Sequence, residues 1–248
     1  MSHPTALVTG GSRGIGKAIV SLLFEQGYNV VINYFRSEAC AVELAAELNK
    51  HSLGNKAIAI CADVSNASQV EIMFAEAHKH LGEISLLVNN TGISQQKLFT
   101  DISELEWDTM FQVNVKSTFL CCQKVLPNMI RRKQGKIINI SSMWGQVGAS
   151  CEVHYSASKA AIIGFTKALA KEVGPSHIQV NCIAPGVIQT AMNSHLDEQT
   201  MEQLKEETPL GVIGTTQDIA DMVLFLASER SNFITGQIFG VNGGMVIL

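Results

Sequence analysis

Short apolar runs alternate along the chain with longer segments whose apolar residues recur at helical spacing. The short runs predict buried strands at residues 6–9, 29–33, 56–61, 85–88, 136–140, 179–183 and 237–241. The longer segments predict helices near residues 15–26, 38–51, 68–81, 104–132, 155–174 and 218–228. Strands that are apolar enough to be buried on both faces and that alternate with helices are typical of a parallel sheet covered by helices. The pattern therefore predicts an α/β fold with a doubly wound parallel sheet, in a single domain of residues 1–248.

Glycines and one polar segment mark the limits of the predicted elements. A glycine follows four of the helical patterns, at Gly27, Gly82, Gly135 and Gly174, and glycine readily adopts the left-handed conformation that ends a helix. Residues 190–214, between the sixth strand and the last helix, are polar and mixed in charge, with a helical pattern at 198–207. This segment is interpreted either as a lid over a site or as a plain surface excursion.

Composition narrows the class of protein. Hydrophobic residues make up 46% of the chain and charged residues 16%, which indicates a globular protein with an extensive interior. The net charge is -4, and the basic run Arg131–Arg132–Lys133 is short enough to be a solvated helix end, so we expect no nucleic-acid surface. No stretch approaches the roughly 20 apolar residues of a membrane span, and residues 1–5 leave no room for a secretory signal. The six cysteines and seven histidines show no metal-binding spacing, and we expect a soluble cytoplasmic protein without a metal.

A tyrosine and a lysine four residues apart are the first candidates for chemistry. Tyr155 and Lys159 lie on one face of a predicted helix, where an ammonium one turn away is expected to lower the tyrosine pKa from about 10. Ser142, which follows the fifth predicted strand, supplies a hydroxyl that can bind a carbonyl oxygen. Together the three residues predict a site that transfers a proton to or from an oxygen on carbon. Such pairs also occur on solvated helix faces, so the pattern alone leaves both interpretations open.

A glycine-rich segment between the first strand and the first helix predicts a dinucleotide site. Gly10, Ser12, Arg13, Gly14, Ile15 and Gly16 belong to a G-x-x-x-G-x-G pattern in this position. The glycines permit close approach of a pyrophosphate, and the helix N-terminus supplies free N–H groups. A tight turn without a ligand is the alternative.

The residues that follow the second predicted strand indicate which dinucleotide binds. An NAD site places an acidic residue about 20 residues after the glycines. This chain instead has Arg36, with Arg13 in the glycine loop, and two guanidinium groups can neutralise a 2'-phosphate. The sequence therefore predicts NADPH as the cofactor, unless Arg36 is an ordinary exposed loop charge.

These residues, with others in order along the chain, resemble the short-chain dehydrogenase/reductase family. The resemblance covers nearly the whole chain and rests on Thr9–Gly16 (T-G-x-x-x-G-x-G), Asp63–Val64, Asn89–Asn90–Thr91–Gly92 in place of N-N-A-G, Asn114, Ser142, Tyr155, Lys159 and Pro185–Thr190 (P-G-V-I-Q-T). It implies a Rossmann fold with a sheet of about seven strands, an oxidoreductase activity and a homotetramer.

The resemblance also implies a role for each matching residue. Tyr155 would be the acid-base group, Ser142 would orient the carbonyl, and Lys159 would lower the tyrosine pKa and bind the nicotinamide ribose. Asn114 would bend its helix and hold a water molecule. The expected cofactor contacts, beyond the glycine loop, are Asp63 and Val64 at the adenine, Asn90, Thr91 and Gly92 at the adenosine ribose, and Pro185, Gly186, Ile188 and Thr190 on the nicotinamide side.

Three functions follow as hypotheses. Within the family the chain is similar to bacterial 3-oxoacyl-(acyl-carrier-protein) reductases, which act in fatty acid biosynthesis, although their arginine before the sixth strand is absent from Pro175–Ser176–His177. The run from Trp144 to His154 is instead similar to reductases of an aminopentanone group on a lysine of elongation factor P. There Trp144 would line the substrate pocket and Glu152 would neutralise the cationic substrate, unless Glu152 is a rim carboxylate paired with solvent or His154. The third hypothesis is a dinucleotide-binding regulator without turnover, which the intact set of catalytic residues disfavours.

Overall fold

Seven parallel strands form one sheet in this computed structural model, which describes residues 3–190 and 197–248. The strands are β1 (Thr5–Val8), β2 (Asn29–Tyr34), β3 (Ala57–Cys61), β4 (Ile84–Asn89), β5 (Gly135–Ile140), β6 (Ile178–Pro185) and β7 (Ile238–Val241). Their order is β3-β2-β1-β4-β5-β6-β7, with all neighbours parallel. The direction in which successive strands are added reverses between β1 and β4. Doubly wound sheets bind ligands in the crevice at such a point. The predicted fold class is confirmed.

Helices connect the strands and cover both faces of the sheet. They are α1 (Gly14–Glu25), α2 (Glu38–Lys50), α3 (Ala67–Leu81), α4 (Glu104–Phe111), α5 (Ser117–Arg132), α6 (Trp144–Val147), α7 (Val153–Val173), α8 (Glu198–Glu207) and α9 (Thr216–Ala227). The predicted helix 104–132 is interrupted by a π-helical turn, Gln112–Lys116. Within the predicted segment 190–214, α8 is present as expected, and residues 191–196 lie outside the described residues. None of the helices in the described ranges has both the length and the apolarity that crossing a bilayer requires.

Alternating side chains of the strands form two cores. Leu7, Val31 and Leu87 belong to the core on the face of α3, α5 and α7. Ala6 and Val8, which flank Leu7 in the sequence, belong to the core against α1, α2 and α9. Because successive side chains of a strand point to opposite faces, a continuous apolar run buries both faces. This burial fixes the strand ends, and with them the position of the loops beyond those ends.

The predicted glycine stops are correct at three positions and wrong at Gly135. Gly27 and Gly82 have φ angles of 86° and 75° at the ends of α1 and α3. The left-handed residue that ends α5 is instead Lys133, with φ 50°. Gly135 lies in β5, where a Cβ atom would collide with a methionine side chain of α5. α7 ends at Val173 as predicted, but its C-cap residue Gly174 has a helical φ of -53° and begins a short 3₁₀ turn.

Candidate active site

The candidate residues follow the carboxyl ends of six strands. Since all the strands are parallel, these ends meet at one edge of the sheet. In order of the strands, the residues at this edge are Gly10–Gly16 after β1, Arg36 after β2, Asp63 and Val64 after β3, Asn90–Gly92 after β4, Ser142 after β5 and Gly186–Thr190 after β6. Tyr155 and Lys159 reach the same edge from the first half of α7.

The glycine loop is held in a shape that has no room for side chains. Gly10 and Gly14 have φ angles of 61° and 52°, which favour glycine. A Cβ atom on Gly16 would collide with the carbonyl oxygen of Gly10 and lie 2.7 Å from Nδ2 of Asn90. The N-cap residue of α1, Arg13, makes no side-chain capping bond, so N–H groups of the first helical turn remain for an anion.

The segment after β4 is bonded to this loop and presents an unpartnered hydroxyl. Asn90 donates from Nδ2 to the carbonyl oxygens of Thr9 and Gly10, at 3.0 and 3.2 Å. Its N–H and that of Thr91 both donate to the hydroxyl of Thr9. The Thr91 hydroxyl is buried without a partner among the described residues, and a Cβ atom on Gly10 would lie 3.2 Å from it. A buried hydroxyl of this kind is satisfied by a bound polar ligand, and the residues present therefore fit a dinucleotide.

The carboxylate after β3 is held by local hydrogen bonds, whereas the two arginines after β1 and β2 are exposed. Asp63 accepts at Oδ1 from the N–H and the hydroxyl of Ser65, at 2.9 and 2.7 Å, while Val64 is buried. Arg13 and Arg36 are exposed, and in the described part of the chain neither guanidinium has a hydrogen bond or an ion pair. The Arg36 guanidinium lies 5.8 Å from the ring centre of Phe35. Both cations are thus available to a 2'-phosphate.

The turn after β6 leads back to the glycine loop. Pro185 is the last residue of β6, and a Cβ atom on Gly186 would lie 2.7 Å from the backbone that follows β7. Ile188 is buried. The methyl group of Thr190 lies 3.8 Å from the position of a Cβ atom on Gly14. The predicted contacts on the nicotinamide side therefore lie next to the predicted contacts for the pyrophosphate.

The three predicted catalytic side chains are buried together. Tyr155 and Lys159 lie on α7, and the Lys159 ammonium is 5.7 Å from the centre of the tyrosine ring. The ammonium also donates to the carbonyl oxygen of Ile140 at 3.1 Å. The Ser142 hydroxyl forms a hydrogen bond with the tyrosine. A Cβ atom on Gly145 would lie 2.7 Å from the Lys159 backbone, so α6 packs directly on this part of α7.

Asn114 lies in the π-helical turn, and both polar atoms of its side chain form hydrogen bonds with neighbouring residues. Its Oδ1 accepts from the N–H of Ile93 at 2.8 Å, and its Nδ2 donates to the carbonyl oxygen of Ile93 at 2.9 Å. The same Nδ2 also donates to the hydroxyl of Ser158, which itself donates to the carbonyl oxygen of Tyr155. The predicted bend at Asn114 is therefore a π-helical turn, which a side-chain hydrogen bond connects to α7.

The expected lowering of the Tyr155 pKa by Lys159 is wrong. Burial raises the pKa of Tyr155 to about 12, a hydrogen bond from Ser142 lowers it, and the charge of Glu152 raises it. Burial also lowers the pKa of Lys159 to about 8. Desolvation is thus the largest cause of both shifts. At neutral pH the tyrosine is a protonated phenol, which is the form that a proton donor needs.

The two candidate substrate residues flank this group. Trp144 begins α6, is partly buried, and donates its backbone N–H to the Ser142 hydroxyl at 3.2 Å. Glu152 is the N-cap residue of α7, close enough for its charge to act on Tyr155. The hydrogen bond that the structure describes for His154 goes to Gln95, at 3.2 Å. Sequence analysis missed Gln95 because nothing in the sequence links a loop residue to a histidine 59 positions away.

Comparisons with known proteins agree with this geometry. A family model described as enoyl-(acyl carrier protein) reductase matches residues 10–246. The chain is 42% identical over 241 residues to 3-oxoacyl-(acyl-carrier-protein) reductase FabG of Staphylococcus aureus, covering 97% of each chain. The FabG reductases of Aquifex aeolicus and Chlamydia trachomatis are also 42% identical, over 243 residues that cover 96% and 97% of those chains. These relatives are named for reactions on acyl carrier protein, and they give no support to the elongation factor P hypothesis.

Proposed function

The chain belongs to the short-chain dehydrogenase/reductase family, and we propose that it reduces 3-oxoacyl groups carried by acyl carrier protein to 3-hydroxyacyl groups, using NADPH. The observation that supports this proposal most is the buried set of Ser142, Tyr155 and Lys159 beside a dinucleotide-shaped glycine loop. Cytoplasmic localisation remains a prediction of the sequence.

The chain's own residues account for the proton side of the reaction. NADPH, held by the glycine loop and the residues after β6, would supply the hydride that the carbonyl carbon accepts. Tyr155, a neutral phenol, donates its proton to the carbonyl oxygen, and the Ser142 hydroxyl holds that oxygen by a hydrogen bond. The tyrosinate that remains is stabilised by the Lys159 ammonium. The products are a secondary alcohol and an oxidised nicotinamide.

Cofactor preference is assigned to Arg13 and Arg36. Each guanidinium lost from a 2'-phosphate should cost about 1.5–3 kcal/mol of NADPH binding, because the lost hydrogen bonds are charge-assisted. We expect NADPH to bind more tightly than NADH, and Arg13→Ala and Arg36→Ala to weaken NADPH alone. Isothermal titration measures both affinities, with Arg230→Ala beyond α9 as the control. An Arg36→Ala protein with unchanged NADPH affinity would remove Arg36 from the site.

Substrate class is tested by the charge of Glu152. The experiment follows NADPH oxidation with an acetoacetyl thioester and with a cationic aminoketone, for the wild type, Glu152→Gln and the control Glu104→Gln, an exposed acid of α4. For the thioester, loss of Glu152 removes a charge that raises the Tyr155 pKa, so the rate should stay the same or increase. For a bound cation, the variant should lose about ten- to a hundredfold in kcat/KM. If the wild type reduces the aminoketone and not the thioester, and Glu152→Gln loses kcat/KM for the aminoketone as stated, the elongation factor P alternative would replace the acyl proposal.

The proposed partner, acyl carrier protein, is acidic, and a basic cluster at the end of α5 is proposed as its docking surface. Arg131, Arg132 and Lys133 lie at the end of α5, and Arg131 is 3.4 Å from Glu83. The arginine that related reductases carry before the sixth strand is absent from Pro175–Ser176–His177, the stretch between α7 and β6.

A homotetramer is proposed from exposed apolar residues on three helices. Leu105 of α4, Phe119 and Ile130 of α5, and Val153 of α7 are exposed large hydrophobic side chains. Closed symmetric assemblies bury such faces against copies of the same chain. Light scattering should give four times the mass of one chain, and Phe119→Glu should reduce it, while Val42→Glu on α2 should not. A monomer at micromolar concentration would contradict the proposal.

A further inference from the structure

Residues 93–97, which follow Gly92, form an extended strap beside the catalytic helix. Gly92 itself lies against Lys159, since a Cβ atom there would be 3.1 Å from the ammonium nitrogen. Along the strap the side chains of Gln95 and Lys97 are partly buried, whereas Ser94 and Gln96 are exposed. The alternation shows that one edge of the strap faces the protein.

Three anchors hold the strap against the π-helical turn, α4 and the segment before α7. Ile93 is bonded through its N–H and carbonyl oxygen to Asn114 of the π-helical turn. Lys97 donates its N–H to the carbonyl oxygen of Cys151 at 2.7 Å, and its ammonium pairs with Glu106 of α4 at 2.8 Å. Between these anchors, Gln95 donates from Nε2 to Glu106 at 2.9 Å. The strap is therefore fixed to α4 and to the segment that leads into α7.

The middle anchor depends on a buried histidine next to the catalytic tyrosine. Because the Gln95 amide nitrogen donates to a carboxylate, its Oε1 is the acceptor that faces Nε2 of His154, at 3.2 Å. The histidine hydrogen must then be on Nε2. The other nitrogen, Nδ1, is buried without a partner among the described residues, and His154 is fully inaccessible. A hydrogen on Nδ1 would have no acceptor there, so the site accommodates the neutral imidazole.

The charges around His154 agree with a neutral form. Burial lowers its pKa, Glu106 of α4 raises it, and Lys97 of the strap lowers it. On its own helix the nearest ionisable neighbours in sequence are Glu152 and Tyr155. Protonation would place a second cation in the same buried network as Lys97.

We propose that neutral His154 is a positioning residue for ketone reduction, which through Gln95 and Glu106 fixes the strap beside Tyr155 and Lys159. The inference rests on the proposed function for its kinetic consequences. The strap begins at the catalytic lysine and is bonded to Asn114, so loosening its middle anchor changes the surroundings of the reacting groups. The glycine loop that receives the dinucleotide does not depend on this anchor.

The kinetic test compares two adjacent glutamines. Gln95→Leu removes the acceptor of His154, whereas Gln96→Leu alters an exposed neighbour on the same strap and serves as the control. We expect Gln95→Leu to lower kcat/KM for an acetoacetyl thioester about three- to tenfold, with NADPH affinity unchanged. His154→Gln, whose amide can donate from a similar position, should restore most of the rate that His154→Leu loses. Equal kinetics for Gln95→Leu and Gln96→Leu, or no rescue by His154→Gln, would overturn the proposal.

A second readout needs no substrate. A histidine whose pKa is lower in the folded protein contributes stability above its unfolded value of about 6.5, and this stability is lost as the pH falls through the folded value. The wild type should therefore lose unfolding free energy below that pH more steeply than His154→Gln does, and His51→Gln at the end of α2 should behave as the wild type. If no ketone is reduced by the wild type, the proposed function fails, while this pH dependence still tests the buried neutral histidine. Identical pH profiles for the wild type and His154→Gln would show that His154 is not held neutral in this network.

Discussion

Replacing Tyr155 by phenylalanine is expected to abolish most turnover while leaving NADPH binding nearly intact. The phenyl ring fills the same buried space on α7, and the change removes the transferable proton and its hydrogen bond with Ser142. General acid-base groups supply about 10²–10⁴-fold, and the rate should fall by that factor. Steady-state rates of NADPH oxidation with an acetoacetyl thioester, together with titration of the cofactor, measure the two quantities.

The control for this variant is another tyrosine. Tyr28→Phe also removes one hydroxyl, which donates to the carbonyl oxygen of Ala227 at 3.4 Å, away from the carboxyl edge of the sheet. It should keep the wild-type rate. A Tyr155→Phe protein that retains more than about a third of the wild-type rate would exclude the phenol as the proton donor, since a loss below the range for acid-base groups leaves it no such role.

Replacing Lys159 by methionine is expected to lower both the rate and the affinity for NADPH. The ammonium stabilises the tyrosinate and, by family resemblance, binds the nicotinamide ribose, so one substitution removes two contributions. We expect a loss of about 10²-fold in kcat, comparable to removing another preorganised donor from an active site. Lys167→Met, an exposed lysine two turns further along α7, is the matched control and should leave both quantities unchanged.

The lysine also gives the reaction a pH dependence. Because the pKa of Lys159 is lowered to about 8, the free enzyme loses the ammonium as the pH rises through that value. The kcat/KM of the wild type should therefore decline above about pH 8, and the Lys159→Met protein should lack this decline. A depressed lysine pKa also means that unfolding free energy increases between pH 8 and the usual value of 10.5, and the variant should lose this increase. If kcat/KM of the Lys159→Met protein declines at alkaline pH as it does in the wild type, the decline belongs to another group.

The sequence predicted the parts of the site that depend on strand ends. The strands β1, β2, β4, β5 and β6 are mostly buried and β3 is partly buried, and parallel pairing brings the residues after their ends to one edge. The spacing of Tyr155 and Lys159 predicted one helical turn, which α7 confirms. Thr91, which the resemblance places at the adenosine ribose, has its hydroxyl beside Gly10 of the glycine loop, and its contact with the cofactor stays a prediction.

Properties that depend on tertiary packing were not predictable. The pKa of Tyr155 is set by burial, which sequence spacing does not report, and so the expected lowering by Lys159 was wrong. The bond between Gln95 and His154 joins a loop to a helix that the fold alone brings together. α5 ends at its C-cap residue Lys133 and not at the predicted Gly135, which lies in β5, where close packing against a side chain of α5 leaves no room for a Cβ atom.

The most direct test of the proposed reaction is the fate of the hydride. NADPH deuterated at the transferred position is incubated with the protein and an acetoacetyl thioester, and the product is examined by mass spectrometry, with Tyr155→Phe and a crotonyl thioester in parallel. We predict a 3-hydroxyacyl product with deuterium on the carbon that bears the hydroxyl, formed by the wild type and strongly reduced in the variant. Deuterium transfer to the crotonyl thioester alone, or no deuterated product from either thioester, would contradict the assignment of this chain as a 3-oxoacyl reductase.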